Sequence, residues 1–313
     1  MFFAQFLNKF QIVADKQNID YSYTTIDKIF RLSMGEAADF SGARYNGNFS
    51  MKLEEAQEEK HRFMADELHI KEGSKVLDMG CGWGPFLKYL KEVRKANGIG
   101  LTLSDGQFEA CKKNGFDVHI KDVRTVTPED FGTFDAIVSV GAFEHFCSLE
   151  ECKEGKQEEI YRNFFKTVYD LLPTGGRFYL QTMVWGKNMI HHDQIDPNAS
   201  KNSDAYIIAL MIKYFPGSWL PYGSEMILRD ADPYFKLINM SSGRLDYIET
   251  TNQWRRKIRK FSFEKYALFL SLIPKVIRSN DFRNKLSVYR MAANKKCFER
   301  ELMDHYRIVL EKR

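Results

Sequence analysis

The sequence has no C-x-x-C pair. Its five cysteines, Cys81, Cys111, Cys147, Cys152 and Cys297, are odd in number and irregularly spaced. That pattern gives no sign of a disulfide framework or a structural zinc site, and it points to a reducing, cytoplasmic setting. An excess of one charge is missing as well: 46 basic against 42 acidic residues leave a net charge of +4. Such a balance makes no general case for nucleic-acid binding. No apolar run reaches the length of a membrane-crossing helix. The opening stretch MFFAQFLNKFQIV has neither a basic region before its apolar residues nor a small-residue cleavage site. Nor does any internal repeat or low-complexity tract stand out. Aromatics are the surplus, at 14% of the 313 residues with 25 Phe, 15 Tyr and 4 Trp. They suit a large aromatic core or a long apolar substrate tunnel. The length and 44% hydrophobic content allow one α/β core with an appended cap, or two small domains.

Residues 76–84 read VLDMGCGWG. An apolar strand containing Asp78 leads straight into Gly80, Gly82 and Gly84, and PFLKYLKEVRKA beyond them has helical spacing and good helix formers. Strand, glycine turn and helix start together form a nucleotide cradle. The glycines let the backbone approach a ligand, and the helix N-terminus offers unpaired N–H groups. A dinucleotide fingerprint spaces its glycines G-x-G-x-x-G, whereas here they fall at G-x-G-x-G. The pattern resembles the first motif of class I S-adenosylmethionine methyltransferases, which implies that Asp78 orders the turn near the methionine amino group. A glycine turn in some other α/β protein is the plain alternative.

From Ser74 onward strand and helix signals alternate, with strands expected at 75–79, 98–103, 116–120, 134–140 and 176–184. Helices are expected near 51–69, 85–96, 105–114 and 158–172. Apolar strands such as FDAIVSV suit a mostly parallel sheet covered on both faces, an α/β fold. Phe2, Phe3, Phe6, Leu7, Phe10 and Val13 form a stripe at helical spacing ahead of it. Residues 186–232 carry Gly, Pro, Asn and Asp clusters and read as an irregular inserted cap. Residues 234–241 and 304–311 are expected to close the sheet as antiparallel edge strands around a helical segment, 247–300. The expected division is a helical cover at 1–70, a ligand-binding core at 71–185, and a cap with closing elements at 186–313.

Further turns add to the first. GIGLTLSDGQ at 98–107 places Asp105 and Gln107 about where a Rossmann site meets a ribose, although Ser104 and Asp105 also suit a helix cap. KDVR at 121–124 ends the third strand and faces an adenine in such a site. SVGAFEHFC at 139–147 puts Glu144 and His145 at the carboxyl end of a central strand, where ligands bind in open α/β sheets. His191 and His192 precede Asp193 and Asp196, yet the segment lacks a helical ligand spacing, so no metal is expected there.

Several runs together resemble the cyclopropane fatty acid synthase family, which includes the mycolic acid cyclopropane synthases. They are LEEAQ at 53–57, VLDMGCGWG, GLTLSDGQ at 100–107, FDAIVSVGAFEHF at 134–146, YRNFF at 161–165, LLPTGGRFYLQTM at 171–183 and KYFPGSWLP at 213–221. DYIETTNQW at 246–254 matches more loosely. The resemblance implies a seven-stranded class I methyltransferase fold and transfer of a methyl or methylene carbon from S-adenosylmethionine to an alkene carbon of a lipid. It implies a bound bicarbonate as base, held by a Cys, a Glu, a His, an Ile backbone and a Tyr. Carried over, the Glu falls on Glu144 and the Tyr on Tyr247. The Tyr-Ser-Cys segment falls on Arg44, Tyr45 and Asn46, and the His-Thr-Ile segment on Gln181, Thr182 and Met183. Asn46 and Gln181 thus replace the Cys and the His; their amides still donate to an oxyanion, without a charged contact.

The expected catalytic set is therefore Glu144, Tyr247, Asn46, Gln181 and His145. The expected cofactor set is Tyr45, Asp78, Gly80, Cys81, Gly82, Gly84, Thr102, Leu103, Gln107, Asp122, Val123, Arg124 and Gly141. A small-molecule N- or C-methyltransferase and a non-catalytic S-adenosylmethionine-binding protein are the alternatives. Five basic residues in RRKIRK at 255–260, followed by the apolar YALFLSLIPKVI at 266–277, suit an anionic membrane surface, or else a solvated face and a core helix.

Overall fold

The computed structural model describes residues 29–35, 38–278, 280, 282 and 292–313. The aromatic stripe expected between Phe2 and Val13 lies outside them. Helix α1 (Leu53–Glu67) leads into β1 (Lys75–Met79), and α2 (Pro85–Tyr89) follows, running on into a widened π turn at Leu90–Arg94. Pro85 starts α2 with the fixed φ a first helical residue needs. Then come β2 (Asn97–Thr102), α3 (Asp105–Lys113), β3 (Asp117–Ile120) and β4 (Ala136–Val140). Ser148 and Glu151 cap a short helix, α4 (Leu149–Lys153), in the stretch after Phe146. Beyond it lie α5 (Gln157–Asp170), β5 (Arg177–Trp185), α6 (Asp204–Tyr214), α7 (Gly223–Ala231) and β6 (Phe235–Ser242). The chain continues through α8 (Arg244–Arg259), α9 (Phe263–Arg278) and α10 (Ala292–Glu299) to β7 (Met303–Lys312).

The seven strands lie in the order β3-β2-β1-β4-β5-β7-β6. All neighbours from β3 to β5 pair parallel, and β7 runs antiparallel to both β5 and β6. This corrects the expectation of two antiparallel edge strands. Of the two, only residues 235–242 form an edge; 303–312 are inserted between them and β5, because Ile308, Val309 and Leu310 are all buried and need cover on both faces.

Side chains alternate across the sheet with the strand period of two. Leu77, Ile137, Phe178, Leu180, Ile308 and Leu310 meet Tyr161, Phe164, Phe165 and Val168 of α5 on one face. Val76, Val138, Tyr179 and Val309 meet α1 and α2 on the other. In α5 the buried residues follow i, i+3, i+4, i+7, the spacing of one helical face. Each fully buried Phe there contributes about 1.5–3 kcal/mol. The segment expected as an irregular cap is partly regular. Its Ile227 and Ala231, on α7, join the sheet core, while Trp219 and the residues of α6 build a third cluster with Trp83, Trp185 and Trp254.

Candidate active site

Two cavities open at the carboxyl ends of the parallel strands. The first, about 140 Å³, lies over the glycine turn and is lined by Asp78, Gly80, Cys81, Gly82, Thr102, Leu103, Gln107, Asp122, Val123, Arg124 and Gly141 among others. The N–H groups of Gly80 and Cys81 both donate to the Leu101 carbonyl, at 3.1 and 2.9 Å, so the turn is fastened to β2. Gly80 has φ +92° and a Cβ on it would stand 2.6 Å from that of Ala142, so only glycine fits. Thr102 donates to the Gln107 side-chain oxygen at 2.8 Å, while Ser104 caps α3. Asp122 accepts from the guanidinium and the N–H of Arg124, which closes the turn at the far edge.

The same cavity is bordered by a buried polar group that the motifs did not announce. Asp39 accepts from Lys60 and lies 3.0 Å from His61 Nε2, and both of those side chains come from α1. Burial alone would raise the Asp39 carboxyl, but Lys60 and His61 outweigh it and hold it well below the usual carboxylate range. Asp78 differs: burial first, then the Asp39 charge, push it up to about 7 despite Lys60. The sequence signal for this group was there in α1. Lys60 and His61 share the buried face with Ala56, Gln57 and Met64, an unusual place for charge.

The second cavity, about 90 Å³, is walled by Met183, Trp185, Met211, Phe215, Leu220 and Trp254, with Glu144, His145, Gln181, Tyr247 and His305 among its polar members. Phe40, Ser41, Gly141 and His145 line both cavities. Phe143 anchors the turn after β4 by stacking on Tyr161 at 4.4 Å, which leaves Glu144 facing the cavity. Glu144 Oε1 accepts the Met183 N–H at 2.8 Å, and its Oε2 has no hydrogen-bond partner among the described residues. Burial raises Glu144 to about 7, against the opposing pull of the Met183 and Glu144 backbone N–H groups and the nearby Thr182 hydroxyl. Burial also lowers His145 to about 4, so it is neutral; its Nδ1 lies 2.8 Å from Ser218 Oγ.

A short cover, residues 38–45, crosses both cavities and is pinned from three sides. Arg307 on β7 donates to the Ala43 carbonyl at 2.7 Å and pairs with Asp246 of α8 at 2.9 Å. Thr250 accepts the Ala43 N–H at 3.0 Å, and Asp246 accepts that of Tyr45 at 3.1 Å. This pinning turns Phe40, Ser41 and Gly42 toward the site rather than Arg44, Tyr45 and Asn46. Asn46, expected beside the reacting centre, is solvent-exposed and lines neither cavity. Tyr45 is buried but outside both linings, and Gly84 instead lets α2 pack on Phe116, whose ring a Cβ would meet at 2.7 Å. Asp105 is exposed at the start of α3.

Gln181 does line the second cavity, though its amide is engaged: it donates to the Gly42 carbonyl and accepts from Tyr179, both at 2.9 Å. Beside Gln181 the cavity has Gly42 and, from β7, His305, neither of which was expected there. A Cβ at Gly42 would stand 2.7 Å from Tyr247 and 3.1 Å from His305. Burial first, then Arg307 and Lys60, hold His305 well below its ordinary value, so its imidazole is neutral. Sequence reasoning missed it, though His305 and Arg307 occupy the inward parity of a strand. His191, His192 and Asp193 bring ligand atoms within 4.8 Å of one another on a short turn that lines neither cavity.

A profile of the mycolic acid cyclopropane synthetase family matches residues 10–304. Cyclopropane mycolic acid synthase 2 of Mycobacterium bovis is 31% identical over 254 residues, 79% of this chain and 81% of that protein. Among solved structures, the cyclopropane synthase MmaA2 from Mycobacterium tuberculosis superposes with a TM-score of 0.75 at 22% identity, covering 97% of this chain and 100% of that one. Mycolic acid cyclopropane synthase CmaA1, complexed with SAH and CTAB, gives the same TM-score and coverage at 23% identity. The chain therefore belongs to the mycolic acid cyclopropane synthetase family and is an S-adenosylmethionine-dependent methyltransferase.

Proposed function

We propose that this enzyme moves the methyl carbon of S-adenosylmethionine onto an alkene carbon of a lipid or fatty acyl acceptor. The observation that carries the reading is the shared wall: a polar cavity over the glycine turn and an apolar cavity meet at Phe40, Ser41, Gly141 and His145. The first cavity fits the cofactor. A Cβ at Gly82 would meet nothing within 4 Å, leaving room for a close ligand above the turn, and Asp78 at the strand end suits an ammonium group. Neutral His145 does not repel a sulfonium cation. When bound, S-adenosylmethionine supplies an electrophilic methyl group. The chain's own residues exclude water with the cluster around Trp185, Trp219 and Trp254, face positive charge on the acceptor with the rings of Tyr247 and Trp254, and receive a proton at Glu144 Oε2.

No part of this reading passes through bicarbonate. Asn46 lies outside, and Gln181 is already hydrogen-bonded to Gly42 and Tyr179, so the residues present do not reproduce the implied anion cradle. The acceptor is taken from a membrane surface, a reading supported by the basic end of α8 and the apolar face of α9.

The test supplies S-adenosylmethionine with a trideuterated methyl to the purified protein and a total lipid extract. A lipid product that has lost one deuterium supports ring or methylene formation; one that keeps them all means simple methyl transfer. Label confined to a soluble fraction would point to a small-molecule N- or C-methyltransferase. Cofactor binding without any labelled product would point to a non-catalytic binder.

A further inference from the structure

Helix α9 presents an apolar stripe that no other described residue covers. Phe263, Tyr266, Leu270, Ile273 and Ile277 repeat at alternating steps of three and four, which places them on one face. Their exposures run from 47% at Ile273 to 78% at Phe263, and Phe261 just before the helix is 77% exposed. A chain that buries Trp83, Trp219 and Trp254 almost completely does not leave such a contiguous stripe in water without use. Immediately before it, α8 ends in Arg255, Arg256, Lys257, Arg259 and Lys260, of which Arg256, Arg259 and Lys260 are exposed. Lys265 Nζ donates to the carbonyls of Lys257 and Ile258 at 2.9 and 3.2 Å, so the basic cluster and the start of the stripe are held together. The same α8 lines the acceptor cavity with Tyr247, Thr251 and Trp254. One helix thus connects the cavity wall to the basic cluster.

We propose that α9 and the basic end of α8 dock the enzyme on an anionic phospholipid bilayer. The helix lies in the interface with its stripe among the acyl chains, since no described helix is long and apolar enough to cross a membrane. Charge selects this occupant over a second copy of the chain. Pairing two stripes would bring two basic clusters side by side, whereas an anionic headgroup layer complements them. The proposal deepens the lipid-acceptor reading and rests on it for its purpose, but its measurement needs no turnover.

The experiment floats the purified protein with vesicles of phosphatidylcholine alone or mixed with phosphatidylglycerol. Binding to the mixed vesicles, weakened by added salt, is expected. The pair Leu270→Glu and Ile273→Glu should lower partitioning roughly tenfold or more. The pair Arg259→Glu and Lys260→Glu should lower it by a similar roughly tenfold factor and remove the salt dependence. Both variants should keep wild-type cofactor affinity and wild-type turnover of a detergent-dispersed acyl acceptor, which separates lost docking from lost folding. Absence of wild-type binding, or equal binding by the Leu270 and Ile273 variant, would overturn the proposal. So would a dimer in sedimentation that this variant dissolves, because a second copy would then occupy the stripe. Vesicle binding with no lipid turnover would count against the acceptor reading while upholding the docking helix.

Discussion

Glu144 is a buried carboxyl group with one oxygen fixed by the Met183 N–H and the other without a hydrogen-bond partner among the described residues. Held at about 7, it is protonated in mild acid and anionic above neutrality, so turnover should rise with pH through that value. Glu144→Gln keeps an acceptor for Met183 yet cannot take a proton; a loss of roughly 10²–10⁴ in turnover with unchanged cofactor affinity is expected in single-turnover kinetics. Its effect on stability has the opposite sign. The folded value lies above the ordinary 4.5, so the carboxyl's stabilising proton is fully present below the unfolded value and is lost as pH rises through about 7. Denaturant titration at about pH 8 should therefore find the Gln variant more stable, by an order of 3 kcal/mol. Asp78, also near 7, should lose its proton when a cationic ligand arrives. Calorimetry in buffers of different ionisation enthalpy should detect that release near neutrality, and Asp78→Asn should abolish it. These residues were legible because their chemical types stand at strand ends. Asp39 and His305 were not, because only the folded chain brings them to the cavities.

At the scale of elements, the cover at 38–45 is the part that sequence alone placed least well. Phe40, Ser41 and Gly42 line the cavities, a step along the cover from Arg44, Tyr45 and Asn46, onto which the resemblance was carried. What decides the step is a buried ion pair and two backbone contacts from α8 and β7, elements distant in the chain. Arg307→Met should leave Asp246 buried and unpaired, destabilising the protein by about 3–5 kcal/mol in urea unfolding. Adding Asp246→Leu should recover part of that loss. Gly42→Ala, by contrast, should spare the cofactor site and push Tyr247 and His305 out of place at a cost of about 1–3 kcal/mol, because its Cβ would stand 2.7 and 3.1 Å from them. Roughly tenfold or greater loss in acceptor turnover with unchanged cofactor affinity is the expected split. The strands and α5 were readable from their periods of two and 3.6, but strand order was not, since pairing partners are chosen by burial on both faces.

Across the whole molecule, the shared wall couples two ligands. Anything that orders Phe40, Ser41 and His145 for the cofactor orders them for the acceptor too, so each ligand should tighten the other by the same factor. Titrating S-adenosylhomocysteine with and without a long-chain acyl analogue checks this; equal affinities would show the cavities to be independent. A different consequence follows from β7 lying between β5 and β6. As the nascent chain leaves the ribosome, β6 emerges long before the strand it pairs with. Until residues 303–312 arrive, β5 presents an open hydrogen-bonding edge, a template for aggregation. The strand that follows β5 and β6 also carries His305 and Arg307, so chains not yet extended through it have neither a finished acceptor wall nor a pinned cover. Translation pauses before that strand should therefore leave a chain dependent on chaperones, whereas pauses after it should be harmless.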